Sequence, residues 1–480
     1  MSAIKKLFTS AAFSSGAKIL QRVLGLISTL ILARVLTPED FALIAIVSLT
    51  LYFFDMLSQS GSEPYIVQKK QVSEDDLNTS WTLDLLLKCL VLILLLLLAS
   101  PIAAFFSQPQ LSFAFQVASI ALIINALRNP GIILFKRDLD YKKLFYLALV
   151  QRLVTFIIVI AVALQWQSYW AFIFADLAGA AVFTIGTYLI HTYKPRLGLT
   201  NIKHQWRFSR WLLGKSIIGY LRSQIDTVLV AKYFSPAILG NYYMARDIAM
   251  LPAHNILGPA IEPLLADFKD YKDSPIQLGG RVTKVLITIS FLVFPISVFL
   301  AAYPKLVVEV LLGEQWQLAA PILQIMSLLF FYFVYLLVIE SALTAIGQVK
   351  MIFIFDFASL LFIAVSMLGL LHYSDNLQLL LWLRVSIGLL LTLIIGMTLN
   401  HYVPLNLGKL LAGCLLALVL SVVAYGLSAV TVGKLELHPI VALITSGGVF
   451  CLGYFIMLVL VLPTFMGISL QTLYRQYLAK

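Results

Sequence analysis

Apolar residues form long runs along most of the chain, separated by short polar connections. A helix needs about 20 mostly apolar residues to cross the hydrocarbon core of a bilayer. Runs of that length predict an all-α polytopic membrane protein, and no connection is long enough for a separate soluble domain. The fourteen predicted spans are 11–35, 40–58, 80–106, 111–135, 146–166, 169–191, 209–233, 239–264, 282–303, 318–341, 349–371, 377–400, 407–431 and 438–462.

The composition supports this assignment. Hydrophobic residues make up 61% of the 480 residues, and charged residues make up only 12%. An ordinary soluble domain has a charged fraction of about 25%. A water-soluble protein could not cover so much apolar side chain, and a disordered chain would be far more polar, so both classes are excluded.

Basic residues outside the spans are concentrated in the even-numbered connections, beginning with Lys69 and Lys70, whereas the odd-numbered ones hold Lys305 and Lys434. Positive loops stay on the cytoplasmic side. We therefore expect a multi-pass membrane protein with both termini in the cytoplasm. The net charge of +11 reflects this anchoring, and no nucleic-acid partner is expected. The long first apolar segment lacks a cleavage pattern, so we expect no cleaved signal peptide.

An internal duplication appears when the sequence is shifted by 198 residues. Gly16 then aligns with Gly214 and Thr29 with Thr227, and the pattern Ala-Arg/Lys-x-x-Thr/Ser-Pro recurs at 33–38 and 231–236. Six spans separate the copies, so both enter the membrane in the same direction, which is a parallel repeat. Two six-helix bundles at 1–200 and 201–402 are predicted, followed by two further spans and a cytoplasmic tail at 403–480.

Ionisable residues inside the spans are the candidate functional groups. A charge at mid-bilayer costs roughly 3 kcal/mol on insertion scales, so such residues should face a wet interior or a partner. Arginine suits a phosphate because its planar fork binds two oxygens. The candidate anion-binding residues are Lys18, Arg22, Lys215, Arg222, Arg246 and Arg384, and the candidate coupling-ion residues are Asp226, Asp247 and Asp176.

Structural explanations compete for several of these charges. Arg222 and Asp226 are four residues apart and could form a pair on one helix, as could Asp84 and Lys88. Asp356, near a cytoplasmic span end, is expected to reach the membrane surface. Pro252, Pro259 and Pro263 lie within the eighth span and predict a broken helix, because proline removes a backbone hydrogen bond.

Other chemistry has no support in the sequence. There is no Walker A motif, and the six histidines form no metal-binding pattern. The three cysteines lie in apolar runs without CxxC spacing, which argues against a disulfide framework or a zinc site. We expect no cofactor, no metal and no catalytic residue.

The stretch Leu32–Ala45, LARVLTPEDFALIA, follows the Ser15-Gly16 helix start. It resembles the opening of Wzx-type polysaccharide repeat-unit flippases, especially the branch with the colanic acid exporters. These belong to the multidrug/oligosaccharidyl-lipid/polysaccharide exporter superfamily. Ala42 departs from the glycine that the family often has there, while Gly240 retains it in the second copy.

The resemblance implies a flippase that moves polyprenyl-pyrophosphate-linked oligosaccharides to the outer leaflet for surface polysaccharide synthesis. Its partners would be this glycolipid, the bilayer, Na⁺ or H⁺ as a coupling ion, and the polysaccharide polymerase and export machinery. Two alternatives stay open: a multidrug/cation antiporter of the same fold, and a membrane-embedded polysaccharide polymerase. The basic residues Arg22 and Arg222 disfavour a cation substrate, and the short external loops disfavour an enzyme.

Overall fold

A computed structural model describes residues 3–59, 61–69, 71–200, 202–432 and 437–465, and every regular element in these ranges is helical. Two short helical segments are not α-helical: a π-helical turn, Ala253–Leu257, and a 3-10 turn, Glu314–Trp316. The helices are α1 (Ala3–Val35), α2 (Pro38–Leu57), α3 (Ser62–Gln68), α4 (Glu74–Phe105), α5 (Leu111–Ala126), α6 (Ile132–Arg137), α7 (Lys142–Trp166), α8 (Trp170–Ile190), α9 (Ile202–Tyr233), α10 (Pro236–Pro252), α11 (Gly258–Ile261), α12 (Leu264–Asp270), α13 (Pro275–Ala302), α14 (Pro304–Leu311), α15 (Ala319–Ala345), α16 (Val349–Tyr373), α17 (Leu377–Tyr402), α18 (Leu407–Val432) and α19 (Pro439–Phe465).

Each of the fourteen predicted spans corresponds to a helix of this series. Within the described ranges, ten helices are long and apolar enough to cross a membrane, which confirms an all-α polytopic membrane protein. A further helix, α5, is apolar but shorter. The remaining three predicted spans are α1, α9 and α10, which carry most of the candidate charges and prolines and are therefore less apolar.

Local sequence explains where the helices begin. Thr37 caps α2: its hydroxyl accepts a bond from the Asp40 backbone N–H, and the Asp40 carboxylate accepts one from the Thr37 N–H. Pro38 occupies the first helical turn, where its missing N–H costs nothing. Ser73 and Asp76 form the same reciprocal cap at the start of α4. The Thr-Pro repeat motif thus marks a helix start.

The broken eighth span is confirmed. The helix α10 ends at Pro252, and the chain then makes the π-helical turn. Regular α-helical geometry resumes in the short α11 before Pro263 interrupts it again. Each proline lacks an N–H for the regular ladder, and a π turn accommodates the resulting mismatch.

The described chain divides into two compact units by its internal contacts. Unit 1 comprises the described residues up to Tyr243 together with Asp356–Asp375, a range that includes most of α16. Unit 2 comprises Met244–Phe355 and the described residues from Asn376 onward. These units follow contacts and not the sequence repeat, so the predicted bundle boundaries at 200 and 402 stay a prediction.

In unit 1, α7 packs against α1 and α8, and α5 packs against α4 and α8. In unit 2, α15 is the central helix, packed against α13 and α17, while α18 joins α13 to α19. Phe291, Ala417 and Phe450 belong to an apolar cluster where α13, α18 and α19 meet.

The two copies of the repeat motif meet inside unit 1. Gly240, on α10, lies so close to Pro38, at the start of α2, that a Cβ on the glycine would collide with the Pro38 carbonyl oxygen. Ala42 in the first copy is fully buried but has room for its methyl group. The second copy therefore requires the glycine that the first copy lacks.

The three cysteines are free thiols. Cys89 and Cys414 are half-buried, and Cys451 is exposed on the surface of α19. All three lie in apolar helices.

Candidate functional site

A buried ion pair joins two helices of unit 1. The guanidinium Nε of Arg222, on α9, lies 3.1 Å from the carboxylate Oδ1 of Asp356, on α16. Arg222 is 8% exposed and Asp356 is 3% exposed. The expectation that Asp356 reaches the membrane surface is wrong, because it lies two turns inside α16, where Arg222 neutralises it.

The other predicted charges of α9 lie around this pair. Lys215 is half-buried and close enough to Asp356 to act on it electrostatically. Asp226, one turn beyond Arg222, is completely buried, and its carboxylate accepts a 3.0 Å hydrogen bond from the Thr227 N–H. The three- and four-residue spacing places these side chains along one face of α9.

The first copy of the repeat is less completely described. Arg22 is half-buried on α1. The side chain of Lys18 lies outside the described residues. Gln21, beside Arg22, lines a cavity inside unit 1.

This larger cavity has a volume of about 830 Å³, and all of its described lining residues belong to unit 1. Arg128, which follows α5, projects into it. Its guanidinium carbon stacks 4.6 Å from the centre of the Phe183 ring, and its Nη2 donates a 2.5 Å hydrogen bond to the side-chain oxygen of Asn125. Lys88 also lies in the wall, and its Nζ is 3.8 Å from the Asp55 carboxylate. This ion pair joins α4 to α2.

A second cavity of about 320 Å³ shares Asp55 and Asn125 with the first. Asp176, on α8, is exposed in its wall, and Tyr169 lies at the start of the same helix. Asp176 and Asp55 are both within electrostatic reach of Arg128. One predicted coupling-ion residue, Asp176, therefore lies in a cavity wall within electrostatic reach of Arg128.

The remaining predicted residues belong to unit 2. Arg384, on α17, is fully buried, and its guanidinium carbon lies 5.5 Å from the centre of the Tyr332 ring on α15. Arg246 is half-buried on α10 and interacts electrostatically with the exposed Asp247 beside it.

The end of α8 is fixed to the connection after α5. The Asn129 side-chain amide donates to the His191 and Tyr193 carbonyl oxygens, at 3.3 and 2.6 Å, while the His191 Nδ1 accepts a 3.1 Å bond from the Tyr193 N–H. Burial and the nearby positive charge of Lys143 lower the pKa of His191. Both effects favour the neutral imidazole over the protonated one.

Several residues of the cavity walls were not predicted from the sequence. Asp55 lies in the second span and Arg128 near the end of the fourth, and Trp81 and Asn125 also line the larger cavity. A usable signal was the Asn125–Arg128 spacing of three, which places both side chains on one helical face. Asp55 gave no local signal, because its partner Lys88 lies on another helix.

A family described as "Polysaccharide biosynthesis protein" matches residues 31–321, more than half of the chain. The chain belongs to this family. The match includes the Leu32–Ala45 motif, and the resemblance to Wzx-type proteins is thereby confirmed.

Individual relatives and structures agree with the assignment. The lipopolysaccharide biosynthesis protein WzxC of Escherichia coli K12 is 26% identical over 85% of this chain and 82% of its own length. The succinoglycan biosynthesis transport protein ExoT of Rhizobium meliloti is 22% identical over 62% of this chain and 61% of its own. The fold is similar to that of the lipid II flippase MurJ in an inward closed conformation, with a TM-score of 0.75, 14% identity, and coverage of 94% of this chain and 100% of that one.

Proposed function

We propose that this protein is a flippase of the bacterial inner membrane. It moves polyprenyl-pyrophosphate-linked oligosaccharide repeat units from the cytoplasmic to the outer leaflet, and these units supply lipopolysaccharide, capsule or exopolysaccharide synthesis. The relatives named for lipopolysaccharide biosynthesis and succinoglycan transport support this role over that of an enzyme.

The observation that carries the proposal is the ionisable interior of unit 1. A chain with 61% hydrophobic residues places Arg222, Asp356 and Lys215 together on α9 and α16, and Arg128 in the wall of the larger cavity. Charges inside membrane-spanning segments are costly and are characteristic of substrate pathways. A sugar headgroup needs such surroundings, because each hydroxyl costs several kcal/mol to transfer into hydrocarbon without a replacement hydrogen bond.

Transport proceeds by alternating access, in which the headgroup crosses through a polar interior while the polyprenyl tail stays in lipid. Lys18, Arg22, Lys215, Arg222, Arg246 and Arg384 supply positive charge for the pyrophosphate. An inside-negative potential favours outward movement of a negative headgroup by about 2.3 kcal/mol per charge per 100 mV. Asp176, Asp226 and Asp247 are the candidates for Na⁺ or H⁺ coupling.

The proposal is tested by locating lipid-linked repeat units in a strain that lacks the gene. We expect them to accumulate on the cytoplasmic leaflet and to return to the outer leaflet when the gene is restored. Normal outer-leaflet delivery without the gene contradicts the proposal. Greatly increased drug susceptibility with intact surface polysaccharide supports the alternative, a multidrug antiporter of the same fold.

A further inference from the structure

The larger cavity of unit 1 has the size of a ligand site. Its volume of about 830 Å³ lies within the range of about 300–1,000 Å³ that is usual for small-molecule sites. Its walls come from six of the long helices, including α1, α4 and α9. On α9, Ser216 lines the cavity, whereas the neighbouring Lys215 acts on Asp356.

The described charges in the cavity wall are equal in number. Among the described residues, three carboxylates and three basic groups line the cavity, and two of the opposite pairs are close: Lys136 Nζ lies 2.7 Å from Glu63 Oε1, and Lys88 Nζ lies 3.8 Å from Asp55 Oδ1. Pairing of these described groups leaves little net charge for an anion, unlike the basic residues of α9. It favours a ligand that is polar but uncharged.

The wall also offers both hydrogen-bond donors and hydrogen-bond acceptors. Gln21 and Asn125 each carry a donor amide and an acceptor oxygen. The Ser80 hydroxyl, the Trp81 indole N–H and the Arg128 Nε–H are buried there and have no hydrogen-bond partner within the described parts of the protein. Buried polar groups are normally satisfied, so three unsatisfied donors clustered beside one cavity are unusual. A sugar hydroxyl, which both donates and accepts, matches such a wall.

Aromatic rings complete the match. Trp81, Tyr141 and Phe145 line the cavity, and Phe183 supports the Arg128 guanidinium. A pyranose ring has an apolar C–H face as well as hydroxyl edges, and the flat apolar face of an aromatic ring can cover it. Aromatic faces combined with amides, acids and bases suit a carbohydrate better than either a phosphate or a hydrocarbon.

We propose that this cavity binds uncharged sugar residues of the transported oligosaccharide and is a recognition site distinct from the basic residues that attract the pyrophosphate. The inference rests on the proposed function, because it assigns the sugar part of that substrate to unit 1. Trp81 provides the stacking surface. Arg128, oriented by Asn125 and Phe183, provides hydrogen bonds to the hydroxyls.

The test uses the full-length protein in nanodiscs and two probes. One is the neutral oligosaccharide of the host's own repeat unit, freed of lipid and phosphate, and the other is inorganic pyrophosphate. We expect the oligosaccharide to bind in calorimetric titration. Trp81→Leu should weaken this binding about tenfold or more, and Trp81→Phe, which keeps a ring but loses the N–H, should weaken it about threefold. Pyrophosphate binding should be unchanged in both variants.

Trp166→Leu is the matched control, because Trp166 is exposed on α7 of the same unit and lines neither cavity. Its oligosaccharide affinity should equal that of the natural protein. If Trp81→Leu is not monodisperse, Trp81→Phe and Ser80→Ala carry the test, each with an expected loss of about threefold.

Three results overturn the inference: no oligosaccharide binding by the natural protein, equal binding by all variants, or loss of pyrophosphate binding alone in the Trp81 variants. The last result would identify an anion site. The proposed function is tested separately. A deletion strain that accumulates lipid-linked repeat units on the inner leaflet would uphold it even if the cavity bound no sugar.

Discussion

The Nε of Arg222 lies 3.1 Å from the Oδ1 of Asp356, and this pair connects α9 to the part of α16 that belongs to unit 1. Arg222 and Lys215 lie on α9, the first helix of the second copy of the repeat. Arg222 is therefore both a structural partner of Asp356 and a candidate substrate contact. The two roles predict different behaviour when both charges are removed.

Removing one partner of the pair should destabilise the protein. Arg222→Ala or Asp356→Ala alone breaks a buried ion pair, which costs about 3–5 kcal/mol. The double variant Arg222→Met with Asp356→Leu should regain most of that stability but not export. Thermal unfolding in detergent measures the first effect, and surface polysaccharide measures the second. Normal export by the double variant would remove Arg222 from the substrate path.

Arg22 is the corresponding test in the first copy of the repeat. Arg22→Ala should lower polysaccharide export about tenfold or more, because a hydrogen bond to a charged group contributes about 1.5–3 kcal/mol. Membrane insertion should be unaffected. Arg34→Ala is the control, because Arg34 is exposed in the last turn of the same helix. Equal export by both variants would exclude Arg22 from substrate binding.

Asp176 is the best-placed residue for coupling to an ion, because it is exposed to a cavity, whereas Asp226 is completely buried. Asp176→Asn should reduce export and remove its sensitivity to collapse of the Na⁺ or proton gradient. The measurement is export with and without an ionophore, with Asp273→Asn in an exposed connection as the control. Unchanged ionophore sensitivity in Asp176→Asn would argue against coupling at this residue.

Gly240 predicts a packing effect that is independent of function. Gly240→Ala should destabilise the protein by about 1–3 kcal/mol, because its methyl group would collide with the Pro38 carbonyl and force the two helix starts apart. Gly214→Ala has open space around the added methyl and should be neutral or slightly stabilising. Similar melting temperatures for the two variants would contradict the close contact of the repeat motifs.

His191 predicts a dependence on pH. Its pKa is lowered by burial and by Lys143, so the unfolded chain binds a proton more readily than the folded protein does. The stabilising contribution of the neutral ring is complete above the ordinary pKa of about 6.5 and is lost as the pH falls through the folded value. His191→Gln should flatten the dependence of melting temperature on pH between about 5 and 7. Identical slopes would contradict this assignment.

Much of the fold follows from the sequence because lipid imposes a simple rule. Long apolar runs must be helices, and Thr37-Pro38 marks a helix start. The prolines at 252, 259 and 263 likewise identified the broken helix. The compact units were not predictable, because the second half of α16 packs with unit 1 through contacts distant in sequence, including the Arg222–Asp356 pair.

The candidate site was only partly predictable for a related reason. Periodicity identifies the charged face of α9, including Lys215 and Arg222. It does not identify which helix supplies the partner, so Asp356 was assigned to the membrane surface. The cavity residues Asp55 and Trp81 lie on different helices, and only the assembled bundle brings them together.

The three free cysteines have a practical consequence for mapping topology. Cys89, Cys414 and Cys451 all lie within long apolar helices, where a water-borne maleimide does not reach them. They should therefore leave little background labelling. A reporter Gln110→Cys should be modified by an impermeant reagent in whole cells, whereas Asp273→Cys should be modified only after lysis, so the sidedness of the loops can be read without first replacing the native cysteines.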